Sequence, residues 1–237
     1  MTEDSNTPTA PDGPPSGAVE RTEDGAPRGV VWDLGNVLID WDPYAAIAAG
    51  VGPDEARRFL AAEDFDFMAF NHGPDSGGSW EEAEAEVRRT HPHWAEHALS
   101  YRANFAASLL GEVPGSVELV RELHRGGVPM WGLTNWSHEL FPHAPATFGF
   151  LALFEDVVVS GTEGVAKPDP RIFEIVRSRT GRDLAELVFV DDRPDNVRAA
   201  AEAGMDALAF TDAATLRRDL RARGLPVELL REDDAQG

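Results

Sequence analysis

Short apolar runs alternate with stretches of helical periodicity along most of this chain. Val30–Trp32, Val128–Leu133, Val157–Val159, Leu187–Val190 and Asp206–Phe210 have the length and content of buried strands. Helical patterns lie between them at Ser116–Arg125, Pro170–Arg179 and Pro194–Ala203, the last stopped by Gly204. Strands alternating with helices predict an α/β fold, a Rossmann-like parallel sheet covered on both faces. One block breaks the rhythm. Residues 43–112 carry only helical signals, at Pro43–Ala49, Pro53–Glu63, Trp80–Thr90 and Trp94–Leu110. A crossover between parallel strands needs only about a dozen residues. The block therefore reads as a helical cap inserted into a core formed by residues 29–42 and 113–231.

Composition narrows the classes of function. Residues 1–28 are rich in Pro, Gly, Ser, Thr, Asp and Glu and predict a disordered acidic tail. Cysteine is absent, which removes disulfides, thiolate metal sites and cysteine nucleophiles together. The formal charge of -21 repels nucleic-acid backbones and anionic membranes, so neither is an expected partner. There is no apolar run of membrane-spanning length and no basic-then-apolar start, and a cytoplasmic location is the default expectation. A phosphate site in such a chain would need locally placed positive groups.

Ligands of open parallel sheets bind beyond the carboxyl ends of the strands. The residues found there are Asp33, then Thr134-Asn135, then Lys167 after a further strand and loop, then Asp191-Asp192. Carboxylates, a hydroxyl, an amide and an ammonium are the inventory for holding a phosphate and a magnesium ion. Asp33 is followed two places later by Gly35, which would permit a tight turn and close ligand approach; the same aspartate could simply cap a helix. The adjacent acids Asp191 and Asp192 repel each other unless a cation compensates. Lys167 is the single lysine beside 20 arginines, and a compact ammonium can reach between a carboxylate and a phosphate where a planar guanidinium cannot.

In this order the segments Asp33-Leu34-Gly35-Asn36-Val37-Leu38, Gly132-Leu133-Thr134-Asn135, Lys167-Pro168-Asp169-Pro170 and Asp191-Asp192-Arg193-Pro194-Asp195-Asn196 resemble the four motifs of the haloacid-dehalogenase-like superfamily. The resemblance covers about Gly29 to Phe210. Within the superfamily the chain looks like glucose-1-phosphate phosphatases and the N-terminal phosphatase domain of soluble epoxide hydrolases. It implies a Mg²⁺-dependent phosphatase acting on small phosphorylated metabolites, sugar phosphates among them, through an aspartyl-phosphate intermediate. Asp33 would be the nucleophile and a metal ligand, Asp192 the second carboxylate on the metal, and Gly35 a carbonyl ligand. Asp191 and Asn196 would support the ligands from outside. Thr134 and Asn135 would bind the phosphoryl group, and Lys167 would neutralise it and keep Asp33 ionised.

One departure from the pattern bears on mechanism. Many phosphatases of the superfamily carry a second aspartate, a general acid and base, where this chain has Gly35. A group from the cap, a water, Asp40 or Asp42 would then move the proton, or the substrate would have a good leaving group. Two further readings stay open: a metal-free 2-haloacid dehalogenase, which also lacks that aspartate, and a non-catalytic protein that binds phosphometabolites. His91, His93 and His97 cluster in sequence but read as cap surface, and Phe65, Phe67, Phe70 and Trp80 read as packing between cap helices. Asp64 and Asp66 are as readily helix-start residues as catalytic ones.

Overall fold

Val30, Val31 and Trp32 are wholly buried because their strand is the middle of the sheet, paired on both sides and covered on both faces. The computed structural model describes residues 29–228; the tail expected at 1–28 lies outside the described residues. The chain begins with β1 (Gly29–Trp32) and β2 (Ile39–Trp41), followed by five helices, α1 (Pro43–Val51), α2 (Pro53–Leu60), α3 (Phe67–Asp75), α4 (Trp80–Thr90) and α5 (Ala95–Ala103). Then come β3 (Leu109–Glu112), α6 (Ser116–Arg125), β4 (Met130–Thr134), α7 (His143–Thr147), β5 (Asp156–Val159) and α8 (Ser160–Glu163). The chain continues through α9 (Pro170–Thr180), β6 (Leu187–Asp191), α10 (Pro194–Glu202), β7 (Asp206–Ala209) and α11 (Ala213–Ala222).

The main sheet has the order β5-β4-β1-β6-β7, and every neighbouring pair is parallel. Alternate side chains serve opposite faces, as the strand period requires. Val30 and Trp32 join the cluster that holds Val117, Val120 and Leu220 of α6 and α11. Val31 joins Ile172, Phe173 and Ala200 of α9 and α10 on the other face. This is the Rossmann-like α/β arrangement read from the alternation of elements.

Two expectations need correction. The helix expected over Trp94–Leu110 stops at Ala103; residues 105–108 tighten into a 3-10 turn, and β3 then pairs antiparallel with β2. Leu109–Glu112 is only alternately half-buried, so its apolar signal was too weak to mark a strand, and Gly111 sits at φ 153°, outside helical geometry. The block between strands one and two is therefore helical from α1 to α5 and closed by a small two-stranded ladder. The strand expected from Val128 starts at Met130, because the Val128 N–H is used on Leu123 O to close the end of α6, with Gly127 at φ 72°.

The inserted helices have an aromatic core of their own. Phe67 meets Phe70 and Tyr101 at ring separations of 6.2 and 5.0 Å, and Phe70 meets Trp80 at 5.4 Å. The insertion also grips the loop after β4: Trp80 Nε1 donates to Ser137 Oγ (2.8 Å), Trp80 N donates to Glu139 (2.9 Å), and Arg102 pairs with the same Glu139 (2.5 Å). No helix among the described residues is long and apolar enough to cross a membrane.

Candidate active site

The carboxyl ends of β1, β4 and β6 converge under the inserted helices. Asp33 directly follows β1, and its N–H bonds to Val190 O of the adjacent strand (2.8 Å). The chain then reverses within five residues, Leu38 N and Ile39 N both reaching Leu34 O. Asn36, not Gly35, takes the left-handed conformation of this turn (φ 57°), as asparagine tolerates. A Cβ at position 35 would meet nothing within 4 Å, so glycine there leaves open space beside Asp33 rather than permitting the turn.

Lys167 is the hub. Its Nζ lies 2.9 Å from Asp33 Oδ1, 2.7 Å from Asp191 Oδ2 and 2.8 Å from Leu133 O, with only 2% of the residue exposed. Those are all the hydrogen bonds an ammonium can donate. Asn135 holds the peptide of Lys167 from both sides: its Nδ2 donates to Lys167 O and its Oδ1 accepts from Lys167 N, each at 2.8 Å. Burial works against the charge of Lys167, but Asp191 and Asp33 outweigh it and hold the ammonium above its usual pKa.

The acids differ in their freedom. Asp191, fully buried, accepts from Lys167, from Asn196 Nδ2 at both oxygens (3.0 Å each) and from Arg193 N (2.8 Å). Asp192 is half-buried and faces the cavity. Both Leu34 N (2.7 Å) and Lys167 contact Oδ1 of Asp33, which leaves Oδ2 without either contact. Burial pushes the Asp33 carboxyl up to about 8; Lys167 pulls it down, and Asp191 and Asp192 add to the rise. Asp192 is raised by burial and then by Asp191.

Asp33, Asp191 and Asp192 can place one oxygen each within 4.8 Å of one another, the one such acid or histidine cluster among the described residues. Three carboxylates facing one ammonium leave two formal negative charges in a buried space. Hard oxygen donors with that excess fit a divalent cation such as Mg²⁺. The histidines do not form a site: His93 bonds Asp64 (2.8 Å) and His97 bonds Glu55 (3.1 Å). Asp66 caps α3 through Ala69 N.

Above these groups lies a cavity of about 420 Å³. Asp33, Gly35, Thr134, Asn135, Lys167 and Asp192, all expected at the site, lie on its wall. Asp40 and Asp42 do not; Asp42 caps α1 through Tyr44 N. The insertion adds further wall residues, notably Met68, Asn71, Asp75 and Tyr101. Nothing in the sequence marked these four. Asp75 in particular ends a helix whose pattern is interrupted by Gly73 and Pro74.

A parallel α/β sheet gathers one aspartate, one lysine and an acid pair at its strand ends beneath inserted helices, an arrangement suited to a hydrolase. The haloacid dehalogenase-like hydrolase model matches residues 27–204, and the chain belongs to that family. Sesquiterpene phosphatase astK of Aspergillus oryzae is 25% identical over 205 residues, 82% of this chain and 95% of the relative. Three further curated relatives are matched over only 27%, 20% and 36% of their own lengths. Among solved structures, a HAD family enzyme of Bacteroides thetaiotaomicron in magnesium complex superposes with a TM-score of 0.61 at 21% identity, covering 83% of this chain and 99% of that one. L-2-haloacid dehalogenase from Xanthobacter autotrophicus superposes with a TM-score of 0.58 at 18% identity, covering 82% of each chain.

Proposed function

We propose that this hydrolase is a Mg²⁺-dependent phosphatase of small phosphate monoesters, working through an aspartyl-phosphate. The observation that carries the reading is the buried cluster of Asp33, Asp191 and Asp192 around the single ammonium of Lys167. A metal-free dehalogenase would have to bury that negative excess or hold a proton on Asp33, which silences the attacking carboxylate. Asp33, Asp192 and the Gly35 carbonyl would hold the ion. Bound there, Mg²⁺ would neutralise charge on the phosphoryl oxygens.

The chain's own groups do the rest. Oδ2 of Asp33 attacks phosphorus, the ester P–O bond breaks, and water later cleaves the acyl phosphate to return the carboxylate. Lys167 keeps Asp33 oriented and offers positive charge where the phosphoryl group transfers. Thr134 binds a phosphoryl oxygen. Asn135 contributes by fixing Lys167, since its side chain is committed to that peptide. Residues 43–112 act as the cap over this site. Sugar phosphates follow from the resemblance. The aromatic lining of Trp41, Phe105 and Trp136, together with the sesquiterpene phosphatase relative, supports apolar alcohol phosphates as well.

The test is phosphate release from p-nitrophenyl phosphate, sugar phosphates and isoprenoid phosphates, with Mg²⁺ and with EDTA, for wild type and Asp33→Asn. The expected result is release with Mg²⁺ only, lost in Asp33→Asn by a factor of about 10⁴ or more, as when a nucleophile is removed. Halide release from 2-haloacids without metal, and no phosphate from any ester, would replace this reading with the dehalogenase.

A further inference from the structure

An alcohol leaving from phosphorus carries charge that must be met by a proton, and Asp33 cannot both attack and supply it. Other proton-bearing groups on the cavity wall are few. Lys167 spends all three N–H bonds on fixed acceptors. Asp66 is engaged as a helix cap, and Asp192 belongs to the acid cluster. Tyr101 accepts from Trp41 Nε1 (3.3 Å), and burial together with nearby Asp75 raises its pKa beyond use as an acid near neutrality. Apart from the Arg193 guanidinium, His72 and Asp75 remain. His72 Nε2 is linked to Ser76 Oγ (3.2 Å) on the exposed side of α3.

Asp75 differs from the other buried acids among the described residues, Asp33 and Asp191, which both pair with Lys167. It is 8% exposed, closes the C-terminal turn of α3, and makes no ion pair among those found between described residues. A carboxylate at a helix C-terminus faces the negative end of the dipole, so both position and burial favour its neutral form. Asn71, one turn earlier and equally buried, donates Nδ2 to its Oδ2 (2.7 Å) and fixes the carboxyl. Its main chain is tied down as well, Asp75 O accepting from Ser160 Oγ (2.5 Å). Burial raises this carboxyl to about 8, the Ser137 backbone opposing the rise. Ser137 lies on the loop that begins at Thr134, so the inserted acid is anchored to the phosphoryl-binding side of the cavity.

We propose that Asp75, carried into the cavity by the inserted helix α3, is the general acid that protonates the leaving alcohol and then the base that activates water. The assignment rests on the phosphatase reading. In the first half-reaction the Asp33 carboxylate bonds to phosphorus, the ester P–O bond breaks, and the Asp75 carboxyl gives its proton to the departing oxygen. In the second, water attacks the phosphorus of the aspartyl-phosphate, the Asp33–phosphorus bond breaks, and the Asp75 carboxylate takes the water's proton. Both residues return to their starting states.

The experiment compares phosphate release from p-nitrophenyl phosphate, whose phenolate leaves without a proton, with release from alkyl phosphates, whose alkoxides do not. Wild type, Asp75→Asn, Asp75→Glu and His72→Gln are measured as Mg²⁺-loaded full chains. Asp75→Asn should lose about 10²–10⁴-fold in kcat on alkyl esters and far less on the nitrophenyl ester. Asp75→Glu should recover part of the alkyl activity. Equal losses on both ester classes would make Asp75 structural, and a selective alkyl loss in His72→Gln would move the role to His72; either overturns the assignment. Should Asp75→Asn fail to fold, wild type decides: a shallow dependence of rate on leaving-group basicity supports a general acid, and a steep one overturns it. Phosphate release that keeps its leaving-group dependence in Asp75→Asn defeats this assignment alone. Release from no ester at all defeats the phosphatase reading with it.

Discussion

Lys167 holds three oxygens at once, and its replacement by arginine tests how exact that grip is. The Nζ sits between Asp33, Asp191 and Leu133 O at 2.7–2.9 Å, inside a slot 5.5 Å from the Phe189 ring. A guanidinium keeps the charge but spreads its donors in a plane and needs more room. Lys167→Arg should therefore lose at least about 10²-fold in kcat, the scale of a 1 Å misplacement, while the folded circular-dichroism spectrum persists. Full activity in that variant would show that charge alone suffices. Residues of this kind were legible in the sequence because each follows an apolar run in its own segment: Asp33 after Val30–Trp32, Thr134 after Met130–Leu133, Asp191 and Asp192 after Leu187–Val190. Asp75 was not legible. It reaches the site from the insertion, and only tertiary packing against Ser137 and Ser160 brings it there. Gly35 was legible in position but not in role, since the turn it was thought to permit is made by Asn36.

At the level of elements, the junction between α8 and the loop after β4 sets how the insertion meets the sheet. Gly161 N bonds Trp136 O (3.0 Å), and a Cβ at Gly161 would fall 2.6 Å from His138 N and 2.7 Å from Ser137 Cα. Those neighbours are backbone and cannot swing aside. Gly161→Ala should cost about 1–3 kcal/mol of overpacking. At roughly 2–4 °C per kcal/mol for a domain of this size, the melting temperature falls by several degrees. Because the strain passes through Ser137, both ester classes should slow together, unlike the selective loss expected of Asp75→Asn. An unchanged melting temperature would show that the loop yields freely. The five strands of the main sheet were readable from apolar runs, and α4 and α6 from their periodicity and start and stop residues. The short elements were not. Half-buried β3 lacks a continuous apolar run, and α3 carries Gly73 and Pro74 within its last turn.

For the whole molecule, folding and the acidic site are coupled through protons. Asp33 and Asp75 are each raised from 3.8 to about 8 by burial, so the folded metal-free chain holds protons that the unfolded chain has released. Stability changes with pH as the difference between protons bound unfolded and folded, and here that difference is negative. The metal-free protein is therefore most stable below the unfolded-state value of 3.8, as far as these two groups are concerned, and loses that contribution as pH rises toward about 8. On the proposed reading Mg²⁺ would bind the ionised cluster, so the stabilisation it adds should grow across the same window. Such an ion would relieve Asp33 but not Asp75, which lies outside the cluster. Asp75→Asn should accordingly flatten the pH slope that remains in the Mg²⁺-loaded protein. Urea midpoints across that window, in EDTA and in Mg²⁺, for wild type and Asp75→Asn, measure each part separately. A wild-type midpoint in EDTA that does not fall with pH would mean that both carboxyls stay ionised in the fold, and would remove the neutral Asp75 that the proton transfer requires.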